Sequence, residues 1–200
     1  MEPGGENGIK TLGNNYPVAG QCRRDNRNID QMKASELNYK EDYPNFPEFE
    51  KYRTPLDRVD ANLILVLQRL RTISGIPIYP SPDPEGWART RGDKESRHFA
   101  IDRLSDAGDI FPARGNCIEL FLRAQEMPEI GGIGIYSDVR GPDGNPWPMV
   151  HIDLRPHEWT RIIWARTGAI WGRSGTYYVL SASNFHFNQV IEEVVRLDRK

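Results

Sequence analysis

Met149-Val150-His151-Ile152-Asp153-Leu154-Arg155 is the stretch on which the fold turns. Apolar and polar residues alternate along it. Val150, Ile152 and Leu154 therefore face one side of a strand, and His151, Asp153 and Arg155 the other. Just before it, Pro142-Asp143-Gly144-Asn145 is a turn signal. Upstream of the turn, Gly131-Gly132-Ile133-Gly134-Ile135-Tyr136 is predicted to be a second strand, whose glycines permit close approach of neighbouring backbone.

Working outward, Cys117 to Gln125 has the spacing of a helix with Ile118, Phe121 and Leu122 inward, and Cys117 reads as a buried thiol. Leu56, Val59, Leu63, Val66, Leu67, Leu70 and Ile73 recur at helical intervals. Thr54-Pro55-Leu56-Asp57 supplies an N-cap and a proline at the first helical position, and Gly75 ends the helix. Ile76 to Tyr79 is expected as a short strand, followed by a polar loop from Pro80 to Glu95. On the other side, Trp159, Ile162, Ile163 and Arg166 suit a short helix, Tyr177 to Leu180 a strand, and Asn188 to Arg199 a terminal helix. Helices and hairpin-compatible strands without strict βαβ alternation predict an α+β domain: a small, mostly antiparallel sheet with flanking helices.

That domain occupies residues 51–200. Residues 1–50 hold only 15 of the chain's apolar residues, without a helical or strand period, and are read as an extended polar arm. Its aromatics, Tyr39, Tyr43, Phe46 and Phe49, are placed to dock on the domain or on a partner. With Lys+Arg 26 against Asp+Glu 28, the chain has no basic footprint for nucleic acid. The apolar run Leu63 to Leu67 is far too short to span a bilayer, and the N-terminus shows no secretory signal. Two cysteines, Cys22 and Cys117, exclude a disulfide framework and a thiolate-rich zinc site. A metal would have to be held by His and carboxylates.

Of the four histidines, His98 and His151 have the most informative surroundings. His98 lies in Ser96-Arg97-His98-Phe99-Ala100-Ile101-Asp102, upstream of Ser105-Asp106-Ala107-Gly108-Asp109-Ile110-Phe111-Pro112. His151 shares a strand face with Asp153, which suits a carboxylate that orients a ligating imidazole. Two imidazoles and one carboxylate form a standard set for catalytic zinc, since they leave a fourth position open. Zinc in such a site polarises a bound carbonyl and lowers the pKa of water. Each residue alone is equally at home on a surface or in a hydrogen-bonded core.

Together they resemble a family. Ser96-Arg97-His98, Ala107-Gly108-Asp109-Ile110, Gly132-Ile133-Gly134-Ile135-Tyr136 and Val150-His151-Ile152-Asp153-Leu154-Arg155 stand in the order of the M15 peptidases. These are zinc D,D-carboxypeptidases and L,D-endopeptidases of bacterial cell walls and phage lysins. The resemblance covers roughly residues 54–166 and implies a hedgehog/D,D-peptidase-like fold. It implies zinc ligands His98, Asp109 and His151, with Asp153 in support. The interval from His98 to Asp109 is longer than the family's, so either the loop carries an insertion or Asp102 is the ligand; the flank of Asp109 favours the former.

Two further departures bear on turnover. The family's general base stands three residues before the last His, where this chain has Pro148, so Asp153, Asp143 or Glu158 would have to serve. The arginine that grips a substrate carboxylate is displaced, and Arg89 or Arg91 in the loop can replace it. Trp87 and Trp147 flank the site and are expected to line a substrate groove, whereas Trp159, Trp164 and Trp171 are expected to pack in the core or at edges. The implied activity is zinc-dependent hydrolysis of amide bonds in peptidoglycan stem peptides, by a phage-encoded protein that is virion-associated or released to the host wall. The rival expectation is a catalytically weak or inactive M15-like virion component, with the arm contacting a protein partner.

Overall fold

The computed structural model describes residues 32–46, 48–141, 143–156, 161–168, 175–180 and 185–200. The described elements are, in order, α1 (Tyr39–Asp42), α2 (Glu48–Lys51), α3 (Ala61–Ser74), β1 (Ile78–Pro80), β2 (Ala107–Pro112), α4 (Cys117–Gln125), β3 (Gly132–Tyr136), β4 (Met149–Asp153), β5 (Ile162–Thr167), β6 (Thr176–Val179) and α5 (Phe185–Asp198). The strands form one six-stranded sheet in the order β1-β2-β4-β3-β5-β6. Every neighbouring pair is antiparallel except β3–β5, which is parallel. The architecture is α+β, a mixed sheet with flanking helices. No helix among the described residues is long and apolar enough to cross a membrane.

The alternation of Met149–Arg155 becomes β4, hydrogen-bonded between β2 and β3. Its apolar face joins Ile110, Ile133, Ile135 and Ala165 of neighbouring strands in the main core, with Leu63, Leu67 and Leu70 of α3, Leu120 of α4 and Val194 of α5, all fully buried. Each of the Leu, Ile and Val side chains contributes about 1.5–3 kcal/mol by leaving water.

The opposite face is built in register rows. One row runs Asp109, His151, Gly134, Trp164, Val179 across β2, β4, β3, β5 and β6. A second runs Ala107, Asp153, Gly132, Ile162, and a third Met149, Tyr136, Arg166, Tyr177. The polar half of β4 is thus set among glycines, aromatics and charged groups. All five β4 residues are buried, so His151 and Asp153 must find polar partners inside.

Several expectations are corrected. The long helix begins at Ala61, capped by Asp60, whose side chain accepts from Asn62 N at 2.7 Å. Thr54 and Pro55 precede a separate 3-10 turn, Leu56–Arg58. The break arises because Val59 and Asp60 are extended and bonded elsewhere: Ala34 N donates to Val59 O and Asp60 N to Ser105 O. Gly75 ends the helix in the left-handed region (φ 66°), as its position indicated. Ile162 to Thr167 is a strand rather than a helix, because it pairs in parallel with β3. In α4 the buried residues are Cys117, Leu120, Phe121 and Ala124, while Leu122 is exposed and Cys117 is a free buried thiol.

Within the segment 1–50, read as an extended arm, short helical pieces form at Ala34–Glu36 and Tyr39–Asp42, and a third, Glu48–Lys51, runs across its end. Tyr43, Phe46 and Phe49 are buried, and Phe49 packs edge-on against Trp87 at 5.1 Å. Tyr39 stays half in solvent. The stretch 1–31, with Cys22, lies outside the described residues, as do His157, Glu158, Trp159 and Trp171.

Candidate metal centre

His98, Asp109 and His151 come together on the open sheet face, and all three are buried. Asp109 and His151 are direct cross-strand partners on β2 and β4. His98 enters from the irregular segment before β2, where Arg89 N donates to His98 O at 2.6 Å and Ala100 N to Arg89 O at 2.8 Å. Arg97 Nε, next to it, donates to Asp106 Oδ1 at 2.8 Å. The intervening residues therefore form a tied loop, and Asp102 sits exposed on it, outside the cluster.

Three donor atoms face one another. His151 Nδ1 lies 2.9 Å from Asp109 Oδ1 and 3.0 Å from His98 Nε2, and His98 Nε2 lies 3.5 Å from Asp109 Oδ1. Ligand atoms at the usual ~2.0–2.1 Å from a tetrahedral zinc are about 3.3 Å apart, so the triangle matches one face of such a site. The protonation pattern points the same way. Asp153 accepts at Oδ2 from His151 Nε2 at 3.1 Å, which fixes the proton of neutral His151 on Nε2 and leaves a lone pair on Nδ1. That lone pair faces a carboxylate oxygen and a second imidazole nitrogen. One more proton on His151, a proton on His98 Nε2, or one cation held by all three groups would satisfy it. The three residues can hold a metal ion.

The electrostatics follow from burial and these contacts. Burial opposes ionisation of Asp109, but the His98 and His151 imidazoles outweigh it and hold the carboxyl well below its usual range. Burial lowers the His98 pKa, with Asp109 opposing. For His151 burial also disfavours the charged form, but the hydrogen bonds and charges of Asp109 and Asp153 exceed it and raise the pKa. His98 Nδ1 is buried without a hydrogen-bond partner among the described residues. With Nε2 turned to the cluster, a metal there would leave the ring proton on Nδ1.

Asp153 is fully buried behind His151, on the side away from His98 and Asp109. Arg155 grips it with N at 3.1 Å, Nε at 2.7 Å and Nη2 at 2.6 Å. Burial raises its pKa, but the hydrogen bonds from His151 and Arg155 prevail and keep it ionised. This is how a carboxylate orients a ligating imidazole. Gly132 makes room for it, since a Cβ there would lie 2.5 Å from Asp153 Oδ1.

His98 and His151 form the floor of a cleft of about 450 Å3. Arg89, Asp93, Glu95, Arg97 and Arg155 make a charged wall, and Ile162, Trp164, Tyr177 and Val179 an apolar one. Arg89 is thus at the site, with its Nε donating to Glu85 O at 3.0 Å, whereas Arg91 is exposed and off the cleft wall. Asp143 is exposed and paired with Arg114 at 2.7 Å, and Pro148 is buried beside a different cavity of about 580 Å3.

Trp87 and Trp147 depart from expectation. Trp87 lines no groove. It is fully buried, donates from Nε1 to Ser81 O at 3.1 Å, and fills the space where a Cβ on Gly108 would lie. Trp147 packs against Phe111 and Tyr79 on the wall of the other cavity, with the Arg114 guanidinium over its ring. Trp164 is buried as expected, in a cluster with Phe111, Tyr136 and Met149, and it also borders the His98–Asp109–His151 group, its ring 5.0 Å from that of His151. Its signal lay in Gly134: a Cβ there would meet Trp164 Nε1 at 2.5 Å, so the glycine admits a side chain from β5 rather than a neighbouring backbone. Tyr136, on the same strand, carries no sequence signal beyond its place in the Gly132–Tyr136 motif.

No protein-family model, no curated protein and no solved structure matches the chain. The resemblance to M15 peptidases is carried by the four motifs alone.

Proposed function

We propose that the protein is a zinc-dependent peptidase that hydrolyses amide bonds in peptidoglycan stem peptides. The observation that carries this is the convergence of His98 Nε2, His151 Nδ1 and Asp109 Oδ1, with both histidines lining an open cleft. Zinc held there would polarise the scissile carbonyl and make water a better nucleophile. Water's oxygen adds to the carbonyl carbon, the C–N bond breaks, and water's protons are shared out so that a carboxylate and a protonated amine leave.

The chain's own residues divide the remaining work. Asp153 and Arg155 fix the His151 ring through its Nε2–H. Asp153 is therefore a positioning residue rather than a base, because its carboxylate faces the wrong side of the imidazole. Arg89, on the charged wall, is suited to a peptide carboxylate, for which a guanidinium fork is the natural partner. Asp93 and Glu95 on the same wall are acidic groups able to carry a proton between water and the leaving amine. The apolar wall suits the methyl groups of alanine side chains. A phage-encoded, virion-associated or wall-directed protein is the setting in which such chemistry would be used.

Pro148 in place of the family's acidic residue favours a second reading, a virion component that kept the site and lost turnover. Incubating the zinc-loaded protein with purified peptidoglycan and assaying new amine and carboxylate ends separates the two. The peptidase reading expects new ends that disappear in His151→Ala. Intact peptidoglycan across about pH 5 to 9, with zinc bound, would leave the structural reading.

A further inference from the structure

We propose that Tyr136 is a further catalytic residue, its phenol O–H donating to the oxygen of the scissile carbonyl as that oxygen gains negative charge. The proposal rests on the hydrolytic reading above and assigns a donor to it.

Placement comes first. Tyr136 stands on β3 in the register row next to the one that holds Asp109 and His151, and it lines the same cleft as both histidines. Its ring lies 6.4 Å from that of His151 with 26° between the planes. It is buried and lines the cleft, so its hydroxyl is largely shielded from bulk water.

The direction of its hydrogen bonds comes next. Trp164 Nε1 lies 3.2 Å from the Tyr136 hydroxyl, and an indole N–H can only donate. The tyrosine oxygen is therefore the acceptor in that contact, and its own hydrogen is left to give. Among the described residues no acceptor is paired with it. A tyrosine serving the core alone would spend its O–H on a carbonyl or carboxylate of the protein. Here the one recorded partner pushes the other way, and a donor to the oxygen makes the O–H a better donor in turn.

Four more residues hold this arrangement. Gly134 leaves the space that Trp164 needs to cross the strand. Arg166 lies 4.1 Å above the Tyr136 ring, anchored by Asp138 Oδ1 at 3.2 Å from Nε and 3.1 Å from Nη2. Asp138 in turn occupies the place of a Cβ on Gly175. The phenol is thus fixed before substrate arrives, the condition under which a donor aimed at developing charge is most effective. The electron pair that moves onto the carbonyl oxygen when water adds returns when the C–N bond breaks. The tyrosine keeps its proton throughout.

The test uses the zinc-loaded full chain, Tyr136→Phe and Trp164→Phe. The binding probes are phosphinate isosteres of a D,D- and of an L,D-dipeptide, whose tetrahedral anion mimics the charged oxygen. In Tyr136→Phe, zinc content should be unchanged. Affinity for the better phosphinate should fall about 10²-fold, and kcat by about 10²–10³-fold with KM nearly constant. Trp164→Phe, which keeps a ring and removes the donor, should lose phosphinate affinity in the same direction by less, and it decides the matter if Tyr136→Phe does not fold. Equal phosphinate affinity in wild type and Tyr136→Phe would overturn the proposal, as would failure of the zinc-loaded wild type to bind either phosphinate. A wild type that binds phosphinate through Tyr136 but releases no amine would sink the hydrolytic reading alone.

Discussion

Gly132→Ala is a one-carbon change that should disable the centre without touching a ligand. A Cβ at Gly132 would stand 2.5 Å from Asp153 Oδ1 and 2.6 Å from its Cγ, where real contacts essentially never fall below 3.0 Å. The carboxylate must therefore withdraw by about 0.5 Å or more, an amount comparable to the whole width of the hydrogen-bond distance range. Asp153 cannot yield cheaply. It is fully buried, held by Arg155 at 2.6–2.7 Å, and is the acceptor that fixes His151 Nε2. Overpacking and loosened charge-assisted bonds together should cost about 2–4 kcal/mol of stability. Because the orienting carboxylate is displaced, zinc affinity should fall about 10–100-fold. Denaturant titration and competition with a chelator measure the two effects. Gly144→Ala is the control: its φ of 77° makes alanine strained, but no atom lies within 4 Å of the new carbon, so stability drops modestly and zinc affinity is retained. If Gly132→Ala binds zinc as tightly as wild type, Asp153 does not position His151.

Other expected outcomes follow from the same contacts. Asp109→Ala should lose zinc binding while Asp102→Ala keeps it, read by metal analysis after dialysis; the reverse would place the ligand on the exposed loop. Asp153→Asn should weaken zinc binding and hydrolysis together, whereas loss of hydrolysis with full zinc affinity would make Asp153 the base after all. The folded-state pKa of Asp153 lies below its unfolded value, so its stabilisation is present above that unfolded value and is lost as pH falls. The stability gap between wild type and Asp153→Asn in the metal-free protein should therefore narrow from about pH 5 to about pH 2, and a constant gap in denaturant melts would contradict it. Trp87→Ala should cost about 3–5 kcal/mol by leaving a cavity beneath Phe49 and Gly108, with zinc affinity intact in the folded fraction, measured by denaturation and chelator competition.

The parts of the fold legible in sequence were those set by local pattern. The alternation of β4, the αL glycine after α3 and the span of α4 depend on nearest neighbours along the chain. The parts that were not legible depend on distant partners. Helix α3 starts late because Ala34 and Ser105 bond the backbone at Val59 and Asp60, and neither partner is near in sequence. Ile162–Thr167 has apolar residues at both helical and strand spacings, and only the parallel pairing with β3 decides between them. In the centre, His151 and Asp109 were found because the residues around them are distinctive. The place of Trp164 and Tyr136 beside the site is not legible, because a glycine in sequence does not say whether it makes room for backbone or for a side chain; Gly132 and Gly134 make room for the side chains of Asp153 and Trp164.

Zinc content tests the metal centre most directly. After exhaustive dialysis from zinc-containing buffer, elemental analysis should give about one zinc per wild-type chain and close to none in His98→Ala, Asp109→Ala or His151→Ala, since two protein ligands rarely retain a catalytic ion. A wild type that retains no zinc, or variants that retain as much as it does, would contradict the metal centre and leave His98, Asp109 and His151 as a buried, proton-sharing network.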